Sequence, residues 1–319
     1  MSDLAAAFAH AGAPVTLRNF PAASYRVTRE RIREFALAVH DFHPAHWRDS
    51  AAAALGFPGL IAPPTFGSII LIQAQREILD TLVPGYDPQR ILHADQVLDP
   101  VRPLVAGDRL TCRAFFESFR HFAAYDVLAI KTVLTDQRGA VVLTGSTALL
   151  ARTGEGAPGP ARPTLPGPLR PATLSRPVSL RMPRTTLDFD ALRVGSEIPA
   201  QVIELDRMDL TRYARVLGAA DDRPAVIAPG MLKLGLAAGF LSAWSGDPSA
   251  VLRFRAQFAH YTHALRVPPD QPCPIEFRGR VTSLDARRRK ATVAVEARAD
   301  GRRLFGYAAA EMRFPALGL

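Results

Sequence analysis

The chain has 319 residues, of which 48% are hydrophobic and 22% charged, so it is not a disordered polymer and has the length of two domains. The net charge of +9 comes mostly from scattered arginines, and its densest run, 285–290, has the pattern of a hairpin tip. We therefore expect no nucleic-acid partner, although the charge favours attraction to anionic ligands. Two cysteines exclude a disulfide framework. The sequence shows neither a signal peptide nor a membrane span, which predicts a cytoplasmic protein without membrane contact.

The first part of the chain has the pattern of two helices followed by a run of strands. A strand at 24–28 ends at Thr28, which is a helix N-cap residue, and an amphipathic helix follows at 29–39. Pro64 is suited to the first turn of a second helix, which is apolar on nearly all sides and extends to about residue 80. Alternating segments then predict strands at 90–99, 109–119, 123–135 and 140–151. A buried helix with antiparallel strands is an α+β pattern.

Residues 152–186 are rich in proline, glycine and arginine and show no periodicity. This composition predicts a linker between a first domain, residues 1–151, and a second domain, residues 187–319. In the second domain, strands are expected at 252–259, 274–284, 291–298 and 303–314.

The second domain repeats the first. The residues around Thr28 recur around Asp206, at an offset of 178, whereas the turn at 61–65 recurs at 227–231, at an offset of 166. The second copy therefore lacks 12 residues between its first helix and this turn. In this alignment Ala219 takes the place of Asp41, and no histidine corresponds to His46.

The 12 missing residues fall in the segment that gives the first copy its polar cluster. His40, Asp41, His43 and His46 lie within seven residues, and imidazole with carboxylate is a ligand set that zinc accepts. The alternative is acid–base chemistry, because Asp41 and His46 are five residues apart across Pro44, which breaks helical spacing and allows both side chains to face one water.

These residues carry a resemblance to a known family. The segment Asp41-Phe-His-Pro-Ala-His46 matches the Asp-x-Asn-Pro-x-His signature of the MaoC-like hot-dog dehydratases and (R)-specific enoyl-CoA hydratases, with His43 in the asparagine position. The first domain resembles the N-terminal-type dehydratase half at 62–66, 95–97 and 102–108. The second domain resembles the MaoC-type half at 213–216 and 227–232.

The resemblance implies a double hot-dog, in which two tandem repeats each wrap an antiparallel sheet around a central helix and pair as an internal pseudo-dimer. It implies reversible hydration of trans-2-enoyl thioesters, or dehydration of (R)-3-hydroxyacyl thioesters, in fatty-acid or polyketide-type metabolism. No metal or redox cofactor is implied. The acyl group would be carried by coenzyme A or an acyl carrier protein, and a further homodimer stays open.

The resemblance also assigns site residues. Asp41 and His46 are the expected catalytic pair, with His43, Pro64, Thr65 and Gly230 as expected substrate contacts. The family has His-Gly where this chain has two prolines, which offer no N–H to an oxyanion. Thr65 supplies the next N–H in the first half, and Gly230 keeps a donor in the second. The alternatives are a thioester-binding protein without turnover and a different reaction on a related thioester.

Overall fold

The computed structural model describes residues 25–82, 91–122, 125–152, 184–218, 226–258 and 265–315. In the first half the regular elements are β1 (Tyr25–Arg26), α1 (Arg29–Ala38), α2 (Asp49–Ala54), α3 (Ser68–Leu82), β2 (Ile91–Pro100), β3 (Arg109–Phe122), β4 (Tyr125–Thr135) and β5 (Val141–Arg152). In the second half they are β6 (Glu197–Leu205), α4 (Arg207–Val216), α5 (Gly230–Ser245), β7 (Val251–Phe258), β8 (Cys273–Asp285), β9 (Lys290–Ala299), β10 (Arg302–Arg303) and β11 (Phe305–Arg313). No helix in these ranges is long and apolar enough to cross a membrane.

The strands form one antiparallel sheet in the order β1-β3-β4-β5-β2-β7-β11-β9-β8-β6, with β10 paired to β9. Counted from its outer edge to the centre, the first half has the order β1-β3-β4-β5-β2. The second half, counted in the same way, has the equivalent order β6-β8-β9-β11-β7. The halves meet where β2 pairs with β7, from the Asp95–Gln257 pair to the Leu98–Phe254 pair. Two wrapped repeats joined at this seam are the double hot-dog, α+β architecture that the sequence predicted.

A buried ion pair fastens the seam between the two halves. The Asp95 carboxylate accepts hydrogen bonds from the Arg255 guanidinium at 2.6 Å and from the Gln257 amide at 3.1 Å. The Asp95 side chain is 7% exposed, so little solvent competes for these bonds. The central strand pair is therefore held by side chains as well as by the backbone.

The ends of the first helix in each half show the duplication in atomic detail. The Thr28 hydroxyl accepts a hydrogen bond from the Arg31 N–H, and Asp206 forms a capping box with Asp209. At the other end, His40 has a φ of 51° and Gly218 a φ of 75°, so in each half the chain leaves this helix through a left-handed residue. His40 and Gly218 differ by the predicted 178 positions. Ala219, the predicted counterpart of Asp41, lies outside the described residues.

The central helix of the first half begins at Ser68, four residues later than the sequence suggested. The Phe66 N–H donates to the Pro63 carbonyl at 2.9 Å, and the Ser68 N–H donates to the Thr65 carbonyl at 2.9 Å. These tight i to i+3 bonds form a turn before the helix. The short helix α2, which sequence patterns did not reveal, fills the segment that the second copy lacks.

The predicted linker 152–186 lies largely outside the described residues. Where the chain is described again, the Arg184 N–H donates to the Asp247 carboxylate at 2.7 Å and the Thr186 N–H donates to the Ser245 carbonyl at 3.2 Å. The segment that enters the second half is thus attached to the C-terminal end of α5. The domain limits 1–151 and 187–319 stay predictions.

Candidate active site

The aspartate and final histidine of the D-x4-H segment are brought together by two tight turns. His40 ends α1 in a left-handed conformation, so that the Asp41 N–H donates to the Ala36 carbonyl at 2.9 Å. A 3₁₀ turn at Pro44–His46 then carries the chain back, with proline in the first position where its missing N–H costs nothing. Asp41 and His46 are 2% and 0% exposed.

The two side chains contact each other directly. His46 Nε2 lies 3.2 Å from Asp41 Oδ2. The other ring nitrogen, Nδ1, lies 2.6 Å from the Ile61 carbonyl oxygen, which only accepts, so Nδ1 carries a proton and donates it. Asp41 Oδ1 accepts a hydrogen bond from the His43 N–H at 3.2 Å. The ring orientation is therefore fixed, and Nε2 is the nitrogen free to exchange a proton.

The electrostatics of this pair keep Asp41 ionised. Burial raises the pKa of the Asp41 carboxyl, but the charge and hydrogen bond of His46 and the His43 N–H lower it by more. The pKa of Asp41 consequently lies below its ordinary value. A carboxylate that is ionised at neutral pH and shielded from solvent is available as a base.

Several buried polar atoms in this part of the structure lack ordinary hydrogen-bond partners. They include Asp41 Oδ2, His46 Nε2, Thr65 Oγ1 and, three residues after Gly239 on α5, Ser242 Oγ; apart from the 3.2 Å contact between the first two, none of these four has a partner among the described residues. Buried polar atoms are nearly always satisfied in native proteins, and exceptions often mark sites for water or ligand. Here the exceptions include both members of the acid–base pair.

The central helix of the second half forms a wall of this site. A Cβ at Gly235 would lie 2.5 Å from Val39 Cγ1 and 3.5 Å from Thr65 Oγ1, and a Cβ at Gly239 would lie 3.4 Å from Asp41 Cα. Gly235 and Gly239 are four residues apart, so they lie on one helix face about 6 Å apart along the axis. Thr65 and Asp41 are therefore packed against neighbouring turns of α5.

Thr65 lies in the turn before α3 and is fully buried. Its N–H makes no hydrogen bond to any described residue, and its hydroxyl oxygen is equally without a partner there. Proline has no N–H at position 64, but the turn presents the N–H of the following residue instead. The first half thus has a free donor near Asp41 despite the double proline.

A small cavity adjoins this turn at the boundary between the halves. Its volume is about 30 Å³, and its lining includes Ala62, Pro63 and Pro64 from the first half and Pro248 and Leu252 from the second. Ala62 directly follows Ile61, whose carbonyl holds the His46 ring. The cavity therefore borders the segment that holds the His46 ring, although neither Asp41 nor His46 lines it, and its walls are mostly apolar.

The other two histidines of the cluster have partners elsewhere. His43 Nδ1 accepts from the Ala45 N–H at 3.3 Å, so Nε2 donates to the Gly246 carbonyl at 3.0 Å. Burial lowers the pKa of His43, which keeps the ring neutral. His40 Nε2 lies 3.0 Å from Asp209 Oδ2 in α4. Both rings tie the site loop to the second half, and no cluster suited to a metal ion occurs within the described ranges.

Gly230 is not brought to the pair. It is the first residue of α5, nine residues before Gly239, and this spacing corresponds to about 14 Å along the helix. The structure thus groups Asp41, His46 and Thr65. Pro64 lines the nearby cavity, and His43 is hydrogen-bonded to the Gly246 carbonyl. Gly230 lies at the far end of α5. Sequence reasoning missed Gly235, Gly239 and Ser242, although small residues at this spacing in an apolar helix are a sign of close packing.

Comparisons with known proteins agree with this architecture. Residues 15–145 match the family described as FAS1-like, dehydratase domain region. A solved MaoC-like dehydratase is 35% identical, with 92% of this chain and 96% of that chain aligned and a TM-score of 0.79. The chain belongs to the MaoC-like dehydratase family. Membership indicates hydratase or dehydratase chemistry in general terms.

Other relatives resemble one half or the fold alone. A UPF0336 protein of Streptomyces coelicolor is 43% identical over 135 residues, which are 42% of this chain and 90% of that protein. A double hot-dog protein of Mycobacterium tuberculosis has 16% identity and a TM-score of 0.63, covering 92% of this chain and 94% of its own. The latter likeness concerns the fold.

Proposed function

We propose that this protein is a hydro-lyase that reversibly adds water to trans-2-enoyl thioesters and dehydrates (R)-3-hydroxyacyl thioesters, with Asp41 and His46 as the catalytic pair. The observation that carries the proposal is the buried 3.2 Å contact between Asp41 Oδ2 and His46 Nε2, two atoms without other partners among the described residues. Two atoms at this separation can both lie within hydrogen-bond distance of one water.

In the hydration direction the ionised Asp41 accepts a proton from that water as its oxygen attacks Cβ. The electron pair of the double bond moves toward the thioester carbonyl, and the resulting oxyanion needs a donor. Thr65 fits this role through its free N–H and hydroxyl. His46, in its imidazolium form, gives the Nε2 proton to Cα. Proton transfer from Asp41 to His46 across their contact then restores the pair.

The remaining contacts follow from the same arrangement. We propose that the acyl chain enters through the cavity bordered by Pro64, between the two halves, and that α5 of the second half shapes its inner wall. His43 holds the loop that carries Asp41 against Gly246 and acts on the substrate only through that loop. The carrier is coenzyme A or an acyl carrier protein, and the protein functions as an internal pseudo-dimer in fatty-acid or polyketide-type metabolism. No cofactor is needed for this reaction.

The test is a hydration assay with crotonyl-CoA and longer enoyl-CoAs, followed by loss of the enoyl absorbance. Asp41→Asn and His46→Ala are expected to lower kcat/KM by ~10²–10⁴-fold, because each removes one proton-transfer group. Asp49→Asn is the matched control, since it removes an exposed carboxylate in the adjacent α2 that pairs with Arg29. Activity that is unchanged in both pair variants would exclude this site.

The burial of the pair favours a second candidate, an acyl-thioester-binding protein without turnover. Asp41 and His46 are almost wholly shielded from solvent, and the adjoining cavity is small. Saturable binding of crotonyl-CoA without loss of the enoyl group would support this candidate.

A dehydration assay with (R)- and (S)-3-hydroxybutyryl-CoA separately tests the stereochemistry of the proposed hydro-lyase reaction.

A further inference from the structure

The N-terminal end of α5 has a lysine where an acidic residue would be expected. Lys233 is 7% exposed in the first turn of this 16-residue helix, which has no acidic residue in that turn. The partial positive charge at a helix N-terminus disfavours a nearby cation. No counter-ion for Lys233 occurs among the described residues, and burial lowers the pKa of its ammonium to about 8.

The donors at this helix end are also free. The N-cap residue is Pro229, and no side chain of the described residues caps the helix. The Lys233 N–H donates to the Pro229 carbonyl at 3.2 Å, whereas the three preceding N–H groups, from Gly230 to Leu232, have no acceptor within the described part of the chain. Uncapped N–H groups at a helix start are an anion-binding arrangement.

The lysine and the free N–H groups face the same region. Helical side chains lean toward the N-terminus of their helix, so Lys233 extends back toward Gly230. Its Nζ lies 5.8 Å from the centre of the Phe258 ring, and the same ring lies 3.1 Å from the position of a Cβ at Gly230. His93 packs edge-on against Phe258 at 4.9 Å, and burial lowers the pKa of His93 to about 4. Within the described part of the chain, the neighbours of Lys233 thus include an aromatic ring and a neutral histidine.

We propose that the N-terminal end of α5 is a binding site for a carboxylate, held by the Lys233 ammonium and the N–H groups of residues 230–232. A single buried cation matches a single negative charge, whereas a phosphate dianion would leave a charge unpaired beside apolar groups. A planar carboxylate has two oxygens, one for the ammonium and one for the N–H groups. Gly230 lies about 14 Å along α5 from the contact between Gly239 and Asp41, so the site does not include the proposed catalytic pair, whereas Lys233 is two residues from Gly235, which adjoins Thr65.

Isothermal titration of the full-length protein with sodium butyrate, and with sodium phosphate at equal ionic strength, tests this site. We expect saturable binding of butyrate that is stronger than that of phosphate. Lys233→Met is expected to weaken butyrate binding by about tenfold or more, because a charge-assisted hydrogen bond is lost. Lys290→Met is the matched control, since the Lys290 ammonium pairs with Glu311 in the β-sheet. Lys233→Met should hydrate crotonyl-CoA like the wild type, which separates this result from the proposed catalysis.

A second measurement covers the case in which Lys233→Met does not fold. The chain has three lysines, Lys131, Lys233 and Lys290, so ε-¹³C-lysine labelling gives a spectrum simple enough to assign. Butyrate is expected to shift the Lys233 signal and to leave the other two in place. Absence of saturable butyrate binding, an unshifted Lys233 signal, or stronger binding of phosphate than of butyrate would each overturn the proposal.

Discussion

Replacing Gly235 with alanine is expected to destabilise the protein even though alanine favours helix. The new Cβ would lie 2.5 Å from Val39 Cγ1 and 3.0 Å from Val39 Cβ, whereas carbon atoms in contact are normally about 3.5–4.0 Å apart. Val39 is fully buried, so the groups must separate by about 1 Å within a packed core. Overpacking costs ~1–3 kcal/mol, a clash of this size with a fully buried side chain falls in the upper part of that range, at about 2–3 kcal/mol, and helix propensity returns about 1 kcal/mol. The net loss in the free energy of unfolding should be about 1–2 kcal/mol.

Gly239→Ala is the matched comparison for this experiment. Its Cβ would lie 3.4 Å from the Cα and Cβ of Asp41, which is close to ordinary contact, so the gain in helix propensity should offset the packing cost. Urea unfolding followed by the fluorescence of Trp47 and Trp244 measures both variants. Gly235→Ala should be the less stable of the two, whereas Gly239→Ala should fold normally and hydrate crotonyl-CoA more slowly, because it adds a methyl group beside Asp41. A Gly235→Ala variant as stable as the wild type would refute the close packing between α5 and the site.

Three further changes test other contacts. Asp95→Ala should lower the free energy of unfolding by ~3–5 kcal/mol, because it leaves Arg255 without this carboxylate at the seam between the halves. Urea unfolding measures the change, and a loss of less than about 1 kcal/mol would contradict the expectation. His43→Ala should cost ~1–3 kcal/mol and lower kcat more than it raises KM, since the clamp to Gly246 is lost; unchanged kinetics would rule out positioning by His43. The pKa of Asp41 is lowered in the folded state, so its stabilising effect is present above its unfolded pKa and is lost as pH falls through the lower folded value. Asp41→Asn should therefore flatten the dependence of the free energy of unfolding on pH below about pH 4. An unchanged slope in this variant would contradict the expectation.

The strands, hairpins and helix caps could be predicted because their signals are local. The N-cap residue Thr28 was found from sequence, and the matching of the two halves paired it with Asp206, which caps the equivalent helix. The start of α3 was wrong by four residues because the turn depends on hydrogen bonds to the Pro63 and Thr65 carbonyls, which no periodicity records. Local proximity also explains why Asp41 and His46 could be paired.

The wall of the site could not be predicted because its contacts join distant parts of the chain. Gly235 meets Val39 only when the two hot-dog units are packed together, and nothing in either segment identifies the other. For the same reason, sequence could not place Gly230, an expected substrate contact of the second half, which lies about 14 Å along α5 from the contact between Gly239 and Asp41. Contacts across the pseudo-dimer require the assembled sheet.

This dependence on the assembled sheet explains why the second copy persists although it lacks the acid–base segment. Without the second half, β2 would expose an unpaired edge and Asp95 would lose its Arg255 partner. The acid–base loop would lose the carbonyl of Gly246 and the face of α5 that covers Asp41. Loss of the polar segment from one copy removes a single set of side chains, whereas loss of the copy itself would open the site of the other. Selection on the pair in the first half would therefore also retain the fold of the second, which leaves the N-terminal end of α5 free for a different ligand.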